Sequence, residues 1–261
     1  MEIELRQHDG APAAVPAEVR RCTPADWAEV FALQSAVRAA MPYPEQFMPN
    51  SGEELLTDLQ RSLCIGVWAQ GKLAAYSILR YCGESDHNYA NYLDVPKCDL
   101  KYWANGDTVV VAPEWRGNGL QCRLLELSAQ WRRPEIIGIG CTVSPENPYS
   151  MQNLEAAGFS VHTRRLMYGE HDRFVMECRL PPLPGYYRHF KGMPYRVLAL
   201  AKHSETQEPM VVYQALYGAR GIWVRPMAMW FEHVDRGEYH GPRFVADETA
   251  AADGQTEAAP F

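Results

Sequence analysis

The chain has 261 residues, of which 47% are hydrophobic and 22% are charged, and its formal net charge is -7. This composition excludes a disordered or collagen-like chain and provides enough apolar material for one large domain or two smaller ones. No apolar run approaches the roughly 18 residues that a membrane helix needs, and the charged residues 1–9 lack the apolar stretch of a secretory leader. We therefore expect a cytoplasmic protein without a membrane segment.

Seven cysteines are spread through the chain, and none falls at C-x-x-C spacing. The odd number and wide spread predict free thiols in a reducing compartment rather than a disulfide framework. The spacing predicts no metal site, because zinc would have to be bound by ligands brought together from distant parts of the sequence.

A Pro-Pro-Leu-Pro stretch at residues 181–184 cannot continue a helix or a central strand, and we place a domain boundary there. The predicted organisation is a flexible N-terminus (1–18), a first domain (19–180), this proline-rich linker, a small β-domain (185–245) and a disordered tail (246–261). The small domain has a local charge of +3, and the remainder of the chain therefore carries -10.

Helical and strand signals alternate in the first domain. A capping signature at residues 23–26 predicts a helix start, and a second helix is expected at about residues 52–62. Apolar runs at 64–69 and 73–81 predict a hairpin. The stretch 82–103 has no clear period, and we expect a long loop that lines a substrate site.

Residues 107–121 combine a β-branched strand, a loop with Gly117 and Gly119, and a helix start. A glycine loop at a helix N-terminus gathers backbone N–H groups around an anionic ligand such as a pyrophosphate. A Walker loop would have Gly-Lys-Ser/Thr after the glycines, and a dinucleotide fingerprint would have a third glycine at the position of Cys122. The stretch therefore predicts a phosphate-binding loop of another kind or a tight turn without a ligand.

Residues 111–120, with the sequence VAPEWRGNGL, resemble the pyrophosphate loop of the GNAT superfamily of N-acetyltransferases, whose core is R/Q-x-x-G-x-G/A. Arg116 and Gly119 match this core, and Gln121 stands where the family has Gly or Ala. Residues 144–159 resemble the second family signature, in which a strand is followed by an Asn- or Ser-initiated helix that ends in Gly-Phe.

The resemblance covers about residues 19–180 and implies an α+β fold, a mixed and mostly antiparallel sheet flanked by helices. It implies acetyl-CoA as cosubstrate and transfer of the acetyl group to an amine of a small-molecule or peptide acceptor. In the family, two neighbouring strands diverge and pantetheine inserts between them like a further strand. The cofactor-binding residues implied in this way are Val109, Val111, Arg116, Gly117, Asn118, Gly119, Leu120, Asn147 and Ser150.

Three residues are candidates for the acid–base chemistry of acetyl transfer. Asp107 precedes the loop and is a candidate base or water-ordering carboxylate; the alternative is a solvated acid at a strand end. Many family members have a tyrosine four residues before the glycine of Gly-Phe, where this chain has Leu154. Tyr149 and Tyr168 are the candidates to protonate the thiolate instead; the alternatives are that both are packing residues and that the thiolate leaves unassisted.

The small domain consists of short β-rich runs separated by turns, and we expect a barrel-like all-β fold. Residues 186–192 (YYRHFKG) and 223–226 (WVRP) resemble a small bacterial domain family of uncharacterised function. The interleaved aromatic and basic residues would suit stacking on nucleic-acid bases, although core packing explains the aromatics equally and a charge of +3 is a weak signal. Three functions stay open: an N-acetyltransferase, a non-catalytic CoA-binding or sensing protein, and a nucleic-acid- or protein-binding adaptor.

Overall fold

The computed structural model describes residues 1–8, 14–44 and 47–252. It divides into two compact units. The first unit consists of Met1–Asp94, Trp103–Arg132 and Ile139–Cys178, and the second of Val95–Tyr102, Arg133–Gly138 and the chain from Arg179 onwards. The second unit thus includes two segments of the predicted first domain. A single boundary at residues 181–184 does not predict this arrangement.

Within the described residues, the first unit contains four longer helices. They are α1 (Trp27–Ala39), α2 (Gly52–Arg61), α3 (Leu120–Trp131) and α4 (Pro148–Ala156). Side chains cap two of them, α2 through Ser51 and α4 through Asn147. Before α1, the Asp26 carboxylate accepts the Thr23 N–H at 2.7 Å, and before α2 the Ser51 Oγ accepts the Glu54 N–H. Such bonds satisfy N–H groups that have no intrahelical partner, and the predicted starts of α1 and α2 are confirmed.

One sheet of eight strands has the order β1-β2-β3-β4-β5-β6-β8-β7. Its strands are β1 (Glu2–Leu5), β2 (Val15–Arg21), β3 (Leu63–Ala69), β4 (Lys72–Arg80), β5 (Trp103–Val111), β6 (Gly138–Val143), β7 (Ser160–Met167) and β8 (His171–Arg179). The pairings β1–β2, β2–β3, β3–β4, β4–β5 and β7–β8 are antiparallel. β4 is buried on both faces, so layers cover the sheet on each side. The α+β fold with a mostly antiparallel sheet is confirmed.

The N-terminal segment, expected to be flexible over residues 1–18, instead contributes an edge strand. Ile3 lies opposite Ala17 in the β1–β2 register, and Leu5 is 1% exposed. Burial of one leucine together with a ladder of backbone hydrogen bonds orders a segment whose Ala- and Pro-rich composition hides the strand. Residues 9–13 lie outside the described residues.

The second unit contains a five-stranded sheet in the order β12-β11-β10-β9-β15 and a two-stranded ribbon, β13–β14. The strands are β9 (Gly185–His189), β10 (Pro194–Lys202), β11 (Pro209–Ala215), β12 (Ile222–Pro226), β13 (His233–Arg236), β14 (Tyr239–Pro242) and β15 (Phe244–Ala246). The all-β character predicted for residues 185–245 is confirmed. Asp247 pairs with Arg188 at 2.6 Å, so the expected tail is ordered at its start, whereas residues 253–261 lie outside the described residues.

Aromatic side chains form the core of the second unit. Trp230 and Phe244 stack with ring centroids 4.0 Å apart, and Tyr187, Tyr195 and Tyr213 pack around them, each less than 10% exposed. These rings are therefore enclosed by protein and do not present faces on which a base would stack. The core-packing explanation of the aromatic residues holds for these five.

Candidate functional site

The glycine loop joins the end of β5 to the start of α3. After a 3₁₀ turn at Pro113–Trp115, Gly117 has φ +84° and Gly119, the N-cap of α3, has φ +66°. An added Cβ at Gly119 would meet no atom within 4 Å, so its backbone conformation and not lack of space favours glycine there. The N–H groups in the first turn of α3 have no intrahelical acceptor and carry the positive end of the helix dipole.

The loop residues implied by the family resemblance differ in their exposure. Arg116, Gly117 and Gly119 are exposed, whereas Leu120 is 3% exposed and packs in the core. Leu120 therefore has only its backbone available for a ligand. Asn118 is half-buried and its side chain is already bonded.

The N-terminal segment runs alongside this loop, which the sequence does not reveal. The Asn118 amide accepts the Arg6 N–H at 2.8 Å and donates to the Arg6 carbonyl at 2.8 Å. The His8 N–H donates to the Glu114 carbonyl at 2.8 Å. Asn118 is thus a positioning residue of the loop, and Arg6 and His8 are two basic residues beside it.

Gln121, which departs from the family motif, turns its side chain towards α4. Its Nε2 donates to the Ser150 Oγ at 2.9 Å, and its Oε1 accepts the Asn153 amide at 2.7 Å. Asn147 caps α4, because its Oδ1 accepts the Ser150 N–H at 3.0 Å. Asn147 and Ser150 therefore lie together at the start of α4, and Gln121 connects this helix to α3.

Val109 and Val111 lie on the half-exposed side of β5, while Val110 between them is buried. β5 pairs with β4 along its length, and β6 is its other neighbour in the sheet. The two strands approach closely at Gly106, where an added Cβ would lie 3.2 Å from Ile139. Divergence of β5 from β6 beyond this point stays a prediction.

The helix α4 has the termination expected from the second signature, but position 154 carries a leucine and not the family's tyrosine. Gly158 has φ +90° and follows the last turn, which is the left-handed residue that ends a helix. Leu154 is 6% exposed and belongs to the core. Tyr149, at the first turn of α4, is 79% exposed and has no described hydrogen-bond partner for its hydroxyl.

Asp107 lies within β5 and is not a solvated strand-end acid, since its side chain is 6% exposed. Its Oδ1 pairs with Arg80 at 2.7 Å, and its Oδ2 accepts bonds from Asn50 and Thr108, each at 3.1 Å. Arg80 also holds both carboxylate oxygens of Asp58, at 2.8 and 2.6 Å. One guanidinium between two carboxylates gives this buried cluster a formal net charge of -1.

Three hydroxyl groups form a chain at the turn after β7. The Tyr168 hydroxyl lies 2.6 Å from the Tyr89 hydroxyl and 3.0 Å from the Thr142 Oγ1. Tyr168 has φ +56°, an unfavourable conformation for a bulky residue that directs it out of the strand. Asn105 positions the other end of the chain, because its Oδ1 accepts the Tyr89 N–H at 2.9 Å. Tyr89, Thr142 and Arg80 are site residues that sequence spacing did not indicate.

The buried cluster and the hydroxyl chain interact electrostatically. Burial raises the pKa of Tyr89 above its usual value, and the charge of Asp107 raises it further. Burial also raises the pKa of Tyr168, while hydrogen bonds from Thr142 and Tyr89 oppose this and Asp107 adds to it. Burial raises the pKa of Asp107 itself, against the opposing charge of Arg80. The tyrosines are therefore held protonated at neutral pH.

Comparisons with known proteins find similarities to two different regions of the chain. The yncA protein of Salmonella typhimurium, described as an acetyltransferase and solved with its cofactor acetyl-CoA, is 15% identical with a TM-score of 0.50, over 64% of this chain and 95% of its own. A GNAT-family acetyltransferase from Streptococcus pneumoniae is 18% identical with a TM-score of 0.48, over 63% of this chain and 99% of its own. The N-terminal part of the chain has a GNAT-like fold.

A family model described as a protein of unknown function, DUF1653, matches residues 185–246. A structure of a DUF1653 protein from Bordetella bronchiseptica is 43% identical, covers 25% of this chain and 86% of its own, and has a TM-score of 0.24. Residues 185–246 belong to the DUF1653 family. The DUF1653 segment corresponds to the small β-domain predicted at 185–245, and its family description names no activity. A comparison with curated proteins finds no match.

Among the residues that the structure describes, no helix combines the length and the apolar character needed to cross a membrane.

Proposed function

We propose that the N-terminal part of the chain binds acetyl-CoA and transfers its acetyl group to the amine of a small-molecule or peptide acceptor. The observation that carries this proposal is the glycine loop, in which Gly117 and Gly119 adopt positive φ at the N-terminus of α3. This arrangement directs several backbone N–H groups to one exposed place. A single charge–dipole contact is worth about 0.3–1 kcal/mol, so these amides act together on the diphosphate.

Charged residues around the loop add to this attraction. Arg116 is exposed at the loop and supplies a guanidinium that suits bidentate contact with phosphate. Arg6 and His8 lie along the same loop through their backbone bonds. The backbones of Val109 and Val111 are proposed to pair with pantetheine, and Asn147 and Ser150 to border its arm, as the family resemblance implies.

In the proposed reaction the amine nitrogen attacks the thioester carbonyl, an N–C bond forms and the C–S bond breaks. The amine loses its proton to water, and the departing thiolate takes a proton from the Tyr168 hydroxyl. Tyr168 is preferred to Tyr149 because its hydroxyl is bonded to Tyr89 and Thr142, which orients it. Water then returns a proton to Tyr168, which closes the balance with the proton that the amine gave to water, and the 2.6 Å contact with Tyr89 keeps the Tyr168 hydroxyl oriented.

Asp107 is proposed to act through its field and not by direct proton abstraction. Both of its carboxylate oxygens are bonded, to Arg80 on one side and to Asn50 and Thr108 on the other. The net charge of -1 on the buried cluster favours a cationic acceptor in its vicinity. Burial, and to a smaller extent the charge of Asp107, raises the pKa of Tyr168.

A non-catalytic acetyl-CoA-binding protein is the second candidate. The burial of Leu154 at the position of the family's usual acid favours it, as does the engagement of both Asp107 oxygens. Release of the free thiol during incubation with acetyl-CoA and a panel of amines, peptides and aminoglycosides separates the two. Binding without thiol release on any acceptor class would support the second candidate over the first.

The loop assignment is tested by isothermal titration of the full chain with acetyl-CoA. Gly119→Trp places a bulky side chain on the loop, and we expect affinity to fall at least about 100-fold because several amide contacts are lost together. Gly119→Asn tolerates the left-handed conformation without the bulk and is expected to retain most of the affinity. Gly71→Trp is the matched control, since Gly71 also has positive φ and open space, but in the β3–β4 turn. Undiminished affinity in folded Gly119→Trp would contradict the loop assignment.

A further inference from the structure

Three side chains of metal-binding type meet in the second unit. Cys98 and Asp99 lie on the 3₁₀ helix Lys97–Tyr102, and His233 is the first residue of β13. Each offers one ligand atom, and these atoms all lie within 4.8 Å of one another. Because 134 positions separate Asp99 from His233, the sequence contains no spacing that would reveal this group.

The carboxylate of Asp99 is buried, and only one of its two oxygens has a hydrogen-bond partner among the described residues. Asp99 is 4% exposed, and its Oδ2 lies 2.7 Å from the His233 Nδ1. Its Oδ1 is buried and has no hydrogen-bond partner among the residues that the structure describes. More than about 90% of buried polar atoms in proteins are paired, so an unpaired carboxylate oxygen beside a thiol and an imidazole points to a ligand.

The chemistry of the three donors selects the ligand. A thiolate, an imidazole and a carboxylate are the three ligand types of Zn²⁺, whereas Ca²⁺ and Mg²⁺ prefer sites made entirely of oxygen. Ligands held at about 2.0–2.3 Å around a tetrahedral zinc ion lie roughly 3.3–3.8 Å apart. Separations below 4.8 Å therefore close on an ion through small side-chain movements, with the His233–Asp99 contact lengthening.

Charges of both signs lie around the three donors, with Lys97 and Lys101 on the 3₁₀ helix and Asp235 on β13. Asp235 lies two residues after His233 on β13 and shares its face of the ribbon. Opposite Asp235 in the register is His240, and the two pair at 2.7 Å through the imidazole Nδ1. His240 is thus in the same kind of histidine–aspartate pair as His233, but on the surface and outside the group of three donors.

We propose that Cys98, Asp99 and His233 form a Zn²⁺ site. Binding displaces the proton of the Cys98 thiol, which goes to the buffer. The ion connects the 3₁₀ helix Lys97–Tyr102 to the β13–β14 ribbon. The site is therefore expected to stabilise the folded second unit, independently of acetyl-CoA binding.

Cobalt is the spectroscopic probe of this site in the reduced full chain. Titration with Co²⁺ is expected to reach one equivalent, with a thiolate-to-cobalt charge-transfer band and the intense visible bands of a tetrahedral ion, and Zn²⁺ is expected to displace it. Cys98→Ser and His233→Gln are each expected to weaken binding at least about 100-fold, since loss of outer-shell partners alone costs 10–100-fold. His240→Gln and Cys82→Ser are the matched controls and are expected to bind as the unchanged chain does.

A measurement on the unchanged chain covers the case in which a ligand variant does not fold. Zn²⁺ is expected to slow alkylation of Cys98, followed by peptide mass spectrometry, and to leave the rate at Cys82 unchanged. Absence of stoichiometric Co²⁺ binding, or a Co²⁺ complex without the sulfur band, would overturn the proposal. Equal alkylation rates of Cys98 with and without Zn²⁺ would also overturn it. Rapid alkylation of Cys98 that depends on His233 and not on metal would do the same, because it is the behaviour of a nucleophilic thiol.

Discussion

Asp107 in the first unit and Asp99 in the second unit are both buried carboxylates, but they differ in how many of their oxygens have hydrogen-bond partners. Asp107 is saturated, with Arg80 on one oxygen and Asn50 and Thr108 on the other. Asp99 has His233 on one oxygen and no described partner on the other. A saturated buried carboxylate stabilises the fold and shapes the local field, whereas an unsaturated one keeps the capacity to bind a ligand. Burial alone therefore does not distinguish a structural acid from a binding site.

The largest expected effect comes from removing the cation of the saturated cluster. Arg80→Met leaves the carboxylates of Asp58 and Asp107 buried without a countercharge, and we expect the free energy of unfolding to fall by about 3–5 kcal/mol. Urea denaturation measures this change. Arg164→Met, which breaks an exposed pair with Asp172, is expected to have a much smaller effect.

The same experiment on His233→Gln in the presence of a chelator tests the other half of the comparison. The glutamine amide can still donate to Asp99, so without metal we expect a smaller loss of stability than in Arg80→Met. If the free energy of unfolding fell as far in His233→Gln as in Arg80→Met, Asp99 would depend on its partner for stability as much as Asp107 does, and the contrast between the two aspartates would be wrong.

A smaller effect is expected on catalysis at the hydroxyl chain beside Asp107. Tyr168→Phe removes the proposed proton donor, and we expect kcat for acetyl transfer to fall roughly 10²-fold with KM for acetyl-CoA nearly unchanged. Thiol release under saturating acetyl-CoA measures kcat. Tyr186→Phe, in the second unit, controls for loss of a tyrosine hydroxyl, and an equal loss in Tyr149→Phe would contradict the assignment to Tyr168.

The smallest effect concerns a histidine whose neighbours are cations and not a carboxylate. Burial, together with the positive charges of Arg243 and Arg225, lowers the pKa of His189 from 6.5 to about 4. The folded chain therefore binds fewer protons at His189 than the unfolded chain between these values, and stability falls as pH falls through this window. Thermal unfolding with chelator present is expected to show this slope, weakened by solvent because His189 is only half-buried.

His189→Gln tests the origin of that slope. The variant has no titrating group at this position, so we expect its melting temperature to depend less on pH between 6.5 and 4. A slope that survives unchanged in His189→Gln would assign the acid sensitivity to another group.

Local signals in the sequence were sufficient for much of the fold. The capping residues before α1 and α2 predicted where these helices begin, and Gly158 predicted where α4 ends. The edge strand β1 escaped prediction, because its stability comes from pairing with β2 and from the burial of Leu5. Elements stabilised by their own residues are readable from sequence, and those stabilised by a distant partner are not.

In the candidate site, too, local features were predicted from the sequence and long-range contacts were not. The glycine loop is contiguous, and its residues predicted a phosphate-type arrangement before any contact was known. Tyr89 and Thr142 were not indicated, because their bonds to Tyr168 join residues 79 and 26 positions apart. Arg80 was likewise missed as the partner of Asp107, since neither side chain shows in sequence whether it is buried.

By itself the sequence determined the starts of α1 and α2, the end of α4, the α+β character of the first region, the all-β character of the second, and the strand–glycine loop–helix order around Gly117 and Gly119. Each of these depends on backbone propensity, periodicity or capping within a few residues. The tertiary structure alone decided that Asp107 is saturated, that Asn118 is bonded to Arg6, and that Asp99 meets His233. Charge, hydrogen bonding and metal affinity depend on distances between side chains, and only folding sets those distances.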